Sequence, residues 1–335
     1  MNITVIGAGA WGTALAISLA ASHRVTLWAR DTAQIMAMRA TRCNQLYLPD
    51  ILLPDNLNLS ADFCAALSDA ELVVIAVPSA ALRMVLQQLA AYGPFGKLRA
   101  GTDVMWLCKG FEAETSLLPH QVAASVLPQG FRCGVLSGPS FAQEVARGLP
   151  TALTFAAHDQ IYARNTAQAL HHARLRIYAS TDVTGVEVGG AVKNVMAIAA
   201  GISDGMGLGY NARAALLTRG LAEITRLGLA LGGRPETLFG LSGAGDLILT
   251  CTGDLSRNRQ VGLLLAQQHE LPEILNRLGH VAEGVYTVRE VHRMAQQLNV
   301  AMPICEAVYR ILYEHIPATE VVTELLNRTP NLEFN

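Results

Sequence analysis

The chain has 335 residues, of which 51% are apolar and 16% charged, with a formal net charge of -2. That is enough apolar material for a large buried core, and the length suits two domains better than one. The balanced charge offers no basic surface for nucleic acid and no acidic tail, although one or two placed cations would still serve a small anionic substrate.

Taken in chain order, the first half alternates short β-rich runs with helical patterns. Strands are predicted at Ile3–Ile6, Arg24–Trp28, Leu57–Leu59, Leu72–Val77, Val104–Leu107, Gly134–Leu136, Ala152–Phe155 and Arg176–Tyr178, and helices between them notably at Thr13–Ala21 and Ala80–Ala91. Such alternation predicts an α/β unit, a parallel sheet with helices on both faces. Leu72–Val77 is apolar throughout, as a strand buried on both sides must be. After about Gly185 the pattern changes to helices: Val188–Gly201, Ala212–Leu229, Asn258–Gln268, Val285–Leu298 and Ile304–Tyr313. No strand is expected beyond Tyr178. The reading is a Rossmann-like, doubly wound N-terminal domain over residues 1–188 and an all-α C-terminal domain over 189–335, with the boundary near Gly189-Gly190.

Gly7-Ala8-Gly9-Ala10-Trp11-Gly12 is a GxGxxG motif directly after an apolar strand and directly before a helix. The first glycine, Gly7, permits a tight turn. Gly9 lets a cofactor pyrophosphate approach the backbone, and Gly12 lets helix and strand pack closely, while the helix N-terminus attracts phosphate charge. In that context the motif points to a dinucleotide. The end of the second strand reads Trp28-Ala29-Arg30-Asp31. Arg30 stands where an acid would hold the ribose hydroxyls of NAD, and it favours the 2′-phosphate of NADP; Asp31, one residue on, keeps NAD open.

The six cysteines, Cys43, Cys64, Cys108, Cys133, Cys251 and Cys305, form no CxxC pair and stand at no ligand spacing with histidine, so no metal site is expected. They suit a reducing compartment. Met1 runs directly into Asn2-Ile3-Thr4-Val5-Ile6 with no signal-peptide pattern, and Leu72–Val77 is too short to span a bilayer. A cytoplasmic location without a transmembrane segment is expected.

Several segments, in order along nearly the whole chain, resemble the bacterial NAD(P)-dependent glycerol-3-phosphate dehydrogenase family. They are Gly7–Ala16, Asn44–Pro49 with Leu53-Pro54, Lys109-Gly110, Leu136–Ala142, Ala191–Asn194, Leu241–Leu247, Cys251-Thr252 through Ser256-Arg257-Asn258, and Val281–Gly284. The ordered set from Lys193 to Asn258 separates the chain from other dehydrogenases with a helical second domain, such as the 6-phosphogluconate and hydroxyacyl-CoA types. A dinucleotide sensor without catalysis would be expected to carry an inert residue at Lys193 or Asp246. The resemblance implies reversible reduction of dihydroxyacetone phosphate to sn-glycerol 3-phosphate with NAD(P)H, a supply of phospholipid precursor, and a homodimer.

Ketone reduction needs a hydride, a proton donor and an anchor for the substrate. The resemblance assigns the proton donor, or base in the oxidative direction, to Lys193. The stretch Val186–Ile202 contains only Glu187 and Lys193 as ionisable groups. A lysine there is expected to be partly desolvated with a lowered pKa, or else to snorkel its charge to the surface. Asp246, closing Gly243-Ala244-Gly245-Asp246, sits beside the ligand or Lys193, or caps a short helix. Ser256-Arg257-Asn258 at a helix start makes a phosphate receptor, or a plain helix cap with a solvated arginine. Asn194 is a candidate to orient the substrate, and Lys109 a second cation beside the phosphate or the cofactor. Gly138 and Ser140 fit a close substrate approach. Ala10 and Trp11 belong to the nucleotide loop, Arg257 stands near the cofactor as well, and Ala142, Val281 and Glu283 are placed near it by the resemblance alone.

Overall fold

The computed structural model describes residues 1–92, 101–279 and 282–329. Its first layer is built by runs that are apolar on both sides of the pleat. β1 (Asn2–Ile6) leads through α1 (Ala10–Ala20) to β2 (Arg24–Trp28), α2 (Thr32–Thr41), a hairpin of β3 (Cys43–Asn44) and β4 (Leu48–Leu52), and β5 (Asn58–Ser60). Then follow α3 (Phe63–Leu67), β6 (Leu72–Ile75), α4 (Leu82–Tyr92), β7 (Asp103–Trp106), α5 (Pro119–Val126) and β8 (Cys133–Ser137). α6 (Ala142–Ala146), β9 (Thr151–Ala156), α7 (Gln160–Leu170) and β10 (Leu175–Ser180) complete the unit.

Eight of these strands form one sheet in the order β10-β9-β8-β7-β6-β1-β2-β5. The order reverses at β1, which pairs in parallel with both β2 and β6. That reversal opens a crevice at the carboxyl ends of β1 and β6, where a doubly wound sheet binds ligands. Alternate residues serve the two faces: Val5, Leu72 and Val74 join a core with Leu15, Leu27 and Phe155, while Ile6, Val73 and Ile75 join another with Leu86, Trp106 and Val135.

The expected all-parallel sheet needs one correction. β9 runs antiparallel to β8, with Leu136 opposite Phe155 and Ser137 opposite Thr154. Residues 138–150 between them hold only the short α6. The chain therefore turns back at the end where β8 finishes, without the crossover helix that a parallel neighbour requires.

The second half is helical: α8 (Val183–Gly205), α9 (Gly209–Ala230), α10 (Pro235–Leu238), a π-helical turn (Leu241–Gly245) and α11 (Asp246–Thr252), then α12 (Arg257–Ala266), α13 (Leu271–Leu278), α14 (Glu283–Gln297), α15 (Pro303–Tyr313) and α16 (Ala318–Leu326). α8 starts at Val183, before the expected Val188, because buried Asp182 caps it: one carboxylate oxygen accepts from the Gly185 amide at 2.9 Å and the other from the Arg234 amide at 2.8 Å. By length and composition α8 could cross a membrane, yet its most apolar stretch is wholly buried inside the protein. It is the central helix, packed by α9, α11, α12, α14 and α15.

Candidate active site

The glycine motif lies at the switch point of the sheet. Gly7 adopts φ +113°, and a Cβ there would stand 2.5 Å from the Ala76 carbonyl oxygen just beyond β6. Only glycine fits so close a contact in left-handed backbone. The first α-helical bond of α1 runs from the Thr13 amide to the Gly9 carbonyl, and no side chain caps the helix. The amides of Ala10, Trp11 and Gly12 therefore have no helical acceptor. A Cβ on Gly9 would meet nothing within 4 Å, so the space in front of these amides is open. An open, positively polarised helix start at the switch point fits a dinucleotide pyrophosphate. Asn44 of β3 supports the loop from beneath, its side-chain amide donating to the Ala8 carbonyl at 2.9 Å and to Thr13 Oγ1 at 2.8 Å.

At the end of β2, Arg30 is exposed. Asp31 turns its carboxylate to the start of α2, accepting from the Ala33 amide at 2.8 Å and the Gln34 amide at 3.3 Å.

The second half of the site grows from α8. Lys193 is 6% exposed, and its ammonium donates to Asp246 Oδ1 at 2.5 Å and to Thr250 Oγ1 at 2.8 Å. It does not snorkel. The glycine-rich turn before α11 makes this possible, because a Cβ on Gly189 of α8 would stand 2.6 Å from the Ser242 carbonyl oxygen. The other Asp246 oxygen accepts from Lys109 Nζ at 2.6 Å, and Lys109 also donates to the Gly138 carbonyl at 3.1 Å. One buried carboxylate thus joins a lysine of the sheet domain to a lysine of the helical domain. Burial pushes the Lys193 pKa down to about 8, with the Lys109 charge adding to that and Asp246 opposing it. For Asp246, burial raises the pKa, but Lys109 and Lys193 together outweigh it and hold the carboxyl below its ordinary value.

Around this pair the predicted residues assemble. Asn194 donates to the Lys109 carbonyl at 3.2 Å and accepts from Asn258 Nδ2 at 3.0 Å. Asn258 in turn accepts from the Gly284 amide at 3.0 Å, tying the starts of α12 and α14 together. Ser256 caps α12, accepting from the Arg259 amide at 3.3 Å, while Arg257 on the first turn is exposed. Ser140 Oγ donates to the Gly138 carbonyl at 2.9 Å. Glu283, at the start of α14, accepts from the Ser79 amide at 3.0 Å, just beyond β6. Burial raises its pKa, with the Ser79 bonds opposing. Ala142 opens α6, which packs on α1. Val281 lies outside the described residues.

Two residues of the arrangement escape sequence reasoning. Thr250 reads as an ordinary helical residue, and only its position four after Asp246 hints that both share a helix face. Asn44 belongs to a loop segment that carries the family resemblance, but nothing in the sequence gives it a role, and its contact with the glycine motif depends on the β3–β4 hairpin.

Comparison with known proteins agrees with this geometry. Residues 2–163 match the family described as NAD-dependent glycerol-3-phosphate dehydrogenase N-terminus, and residues 182–323 match the C-terminus of the same family. A glycerol-3-phosphate dehydrogenase [NAD(P)+] of Nitrosomonas eutropha is 60% identical over 333 residues, covering 99% of each chain. That of Thiobacillus denitrificans is 60% identical over 334 residues, covering 100% of each. The crystal structure of the Coxiella burnetii glycerol-3-phosphate dehydrogenase superposes with a TM-score of 0.92 at 42% identity, covering 98% of this chain and 99% of that one. The chain belongs to the NAD-dependent glycerol-3-phosphate dehydrogenase family.

Proposed function

We infer that this chain catalyses the reversible reduction of dihydroxyacetone phosphate to sn-glycerol 3-phosphate with NAD(P)H, with Lys193 as the acid in reduction and the base in oxidation. The observation that carries the reading is the buried Lys193–Asp246–Lys109 bridge, which joins the domain of the open glycine loop to the helical domain. An ammonium has three protons to donate. Asp246 and Thr250 engage two of those of Lys193, which leaves the third for the substrate oxygen. The glycine loop at the start of α1 would hold a nicotinamide cofactor, whose chemistry there would be hydride transfer. Lys193 meets the negative charge that develops on the carbonyl oxygen and gives it a proton. Asp246 holds the ammonium in place, and Lys109 adds positive charge beside it. Arg257, with the start of α12, receives the phosphate. Gly138, Ser140, Asn194 and Asn258 shape and orient the substrate side. The family resemblance puts Ala142 and Glu283 on the cofactor side. Loss of NADPH and NADH on addition of dihydroxyacetone phosphate, with sn-glycerol 3-phosphate as product, is the direct test; no loss with either cofactor would overturn the reading.

A pH dependence follows from the lowered Lys193 pKa. Reduction needs the ammonium, so its rate falls as pH rises through about 8, and oxidation needs the free amine, so its rate rises over the same range. Opposite slopes in the two directions are expected, and parallel slopes would exclude Lys193 as the acid–base group.

NADPH is proposed as the preferred cofactor, since Arg30 is exposed while Asp31 is committed to capping α2. Arg30→Ala should weaken NADPH by roughly tenfold and NADH far less, because only NADPH carries the 2′-phosphate. Fluorescence titration with each cofactor measures this, and equal losses would refute it.

The proposed domain division at residues 188/189 falls inside α8, whose Val183 and Val186 pack into the sheet core and whose Val188, Ala191 and Val192 pack into the helical core, so the change of core comes just before that division. A cytoplasmic homodimer that feeds phospholipid synthesis accords with the family.

A further inference from the structure

The segment that leaves β7 carries Lys109 and then crosses into the helical half. Phe111 and Leu118 are buried in the core made by α8, α14 and α15. Between them Glu114 (φ +68°) and Ser116 (φ +55°) hold left-handed backbone, which residues other than glycine rarely adopt. Such residues persist where their surroundings hold them.

Part of the hold comes from Glu112, which grips Arg83 through bonds of 2.7 and 2.8 Å and accepts from Thr115 Oγ1 at 2.6 Å. The rest comes from α14. Glu290, 1% exposed, accepts from Ser116 Oγ at 2.7 Å and from the Glu114 amide at 3.4 Å. Arg293 donates to the Glu114 carbonyl at 2.6 Å. Arg293 at 3.2 Å and Arg289 at 3.6 Å balance the Glu290 charge. Glu283, Thr287 and Glu290 share one face of α14, being four and then three residues apart. Glu283 meets Ser79, Thr287 faces Gly110, and Glu290 meets Ser116. That face of α14 therefore runs along the N-terminal half, from the end of β6 to the segment that follows Lys109.

We propose that Glu290 is a positioning residue for the reaction: by fixing the Glu114–Ser116 turn to α14, it sets where Lys109 stands against Asp246. The inference rests on Lys193 as the acid. The charged and titratable groups facing Lys193 are Asp246 and Cys251 of α11 and Lys109 of the β7 segment, with the Thr250 hydroxyl beside them. If Lys109 withdraws, Lys193 loses a like charge and keeps its proton to higher pH. The alkaline limb of the reduction then moves upward. A Glu290 that served stability alone would lower the melting temperature and leave that limb in place.

The experiment is stopped-flow NADPH oxidation with saturating dihydroxyacetone phosphate across pH, for the wild type, Glu290→Ala, Glu290→Gln and Ser116→Ala. Glu290→Ala should slow the step roughly ten- to a hundredfold through misplacement. Its alkaline limb should rise by up to about one pH unit. Ser116→Ala should shift both in the same direction but less. Glu290→Gln should recover most of the loss, since its amide oxygen still accepts from Ser116. Amide hydrogen exchange should quicken over residues 111–118 in Glu290→Ala with α8 and α11 unchanged. If Glu290→Ala does not fold, Ser116→Ala carries the test. A limb that stays in place in the folded variants overturns the proposal. A wild-type profile with no limb near pH 8 removes the Lys193 assignment first, and this inference with it.

Discussion

Lys193→Ala is expected to lower the turnover of dihydroxyacetone phosphate reduction by roughly 100- to 10,000-fold, the usual worth of general acid catalysis, while NADPH affinity stays within about twofold. The two effects separate because the two tasks lie on different elements. The proposed pyrophosphate site is the start of α1 with its open amides, whereas Lys193 sits in the middle of α8 on Asp246 and Thr250. Removing the lysine leaves Asp246 with Lys109 as its remaining cation, so some loss of stability is expected from the broken buried pair. Turnover should therefore be measured per folded molecule, with melting temperature as the control. Lys193→Arg should not restore activity, because a guanidinium does not give up its proton near neutral pH. Retention of more than about a tenth of wild-type turnover by Lys193→Ala would exclude the acid role.

The sheet domain was legible in the sequence because its strands are short β-branched runs set between helical patterns, and Gly7–Gly12 sits directly between β1 and α1. The reversal of β9 was not, since Ala152–Phe155 carries the same apolar character in either direction and the sense depends on how 138–150 returns. Lys193 stood out as one of two ionisable residues in a long apolar stretch, and Asp246 stood out by its glycines. Their pairing is only one of the readings the sequence allows, because it depends on the close approach of Gly189 to the turn before α11. Glu290 had no signal at all. It lies in Val288-Arg289-Glu290-Val291, which reads as the solvated turn of an amphipathic helix, and its partners Ser116 and Glu114 stand 174 and 176 residues earlier in the chain. A helix face that meets another domain looks, in one dimension, like a face that meets water.

Arg257→Ala tests the substrate class itself. Arg257 is exposed on the first turn of α12, and Asn258 beside it reaches back to Asn194, the neighbour of Lys193. A guanidinium at a helix start is built to receive a phosphate, through paired hydrogen bonds and the positive end of the helix dipole. The phosphate of dihydroxyacetone phosphate is remote from the carbon that is reduced, so its binding energy can align the carbonyl with Lys193 rather than only raise affinity. Charge-assisted bonds to arginine are worth about 1.5–3 kcal/mol, so the substitution should cost at least roughly tenfold in kcat/KM with the phosphorylated substrate. Unphosphorylated dihydroxyacetone has no anion to lose and should be reduced by the variant at nearly the wild-type rate. Saturating NADPH is needed in both series, because the Arg257 charge also acts on Glu283, and a cofactor contact would otherwise be counted as a substrate effect. Because Arg257 is exposed and Ser256 still caps the helix, the fold should be unaffected, and a melting temperature within about a degree or two is expected for a surface substitution. The decisive quantity is the ratio of the two losses: a much larger fall for the phosphorylated ketone identifies Arg257 as the phosphate anchor, and equal falls for both ketones exclude it.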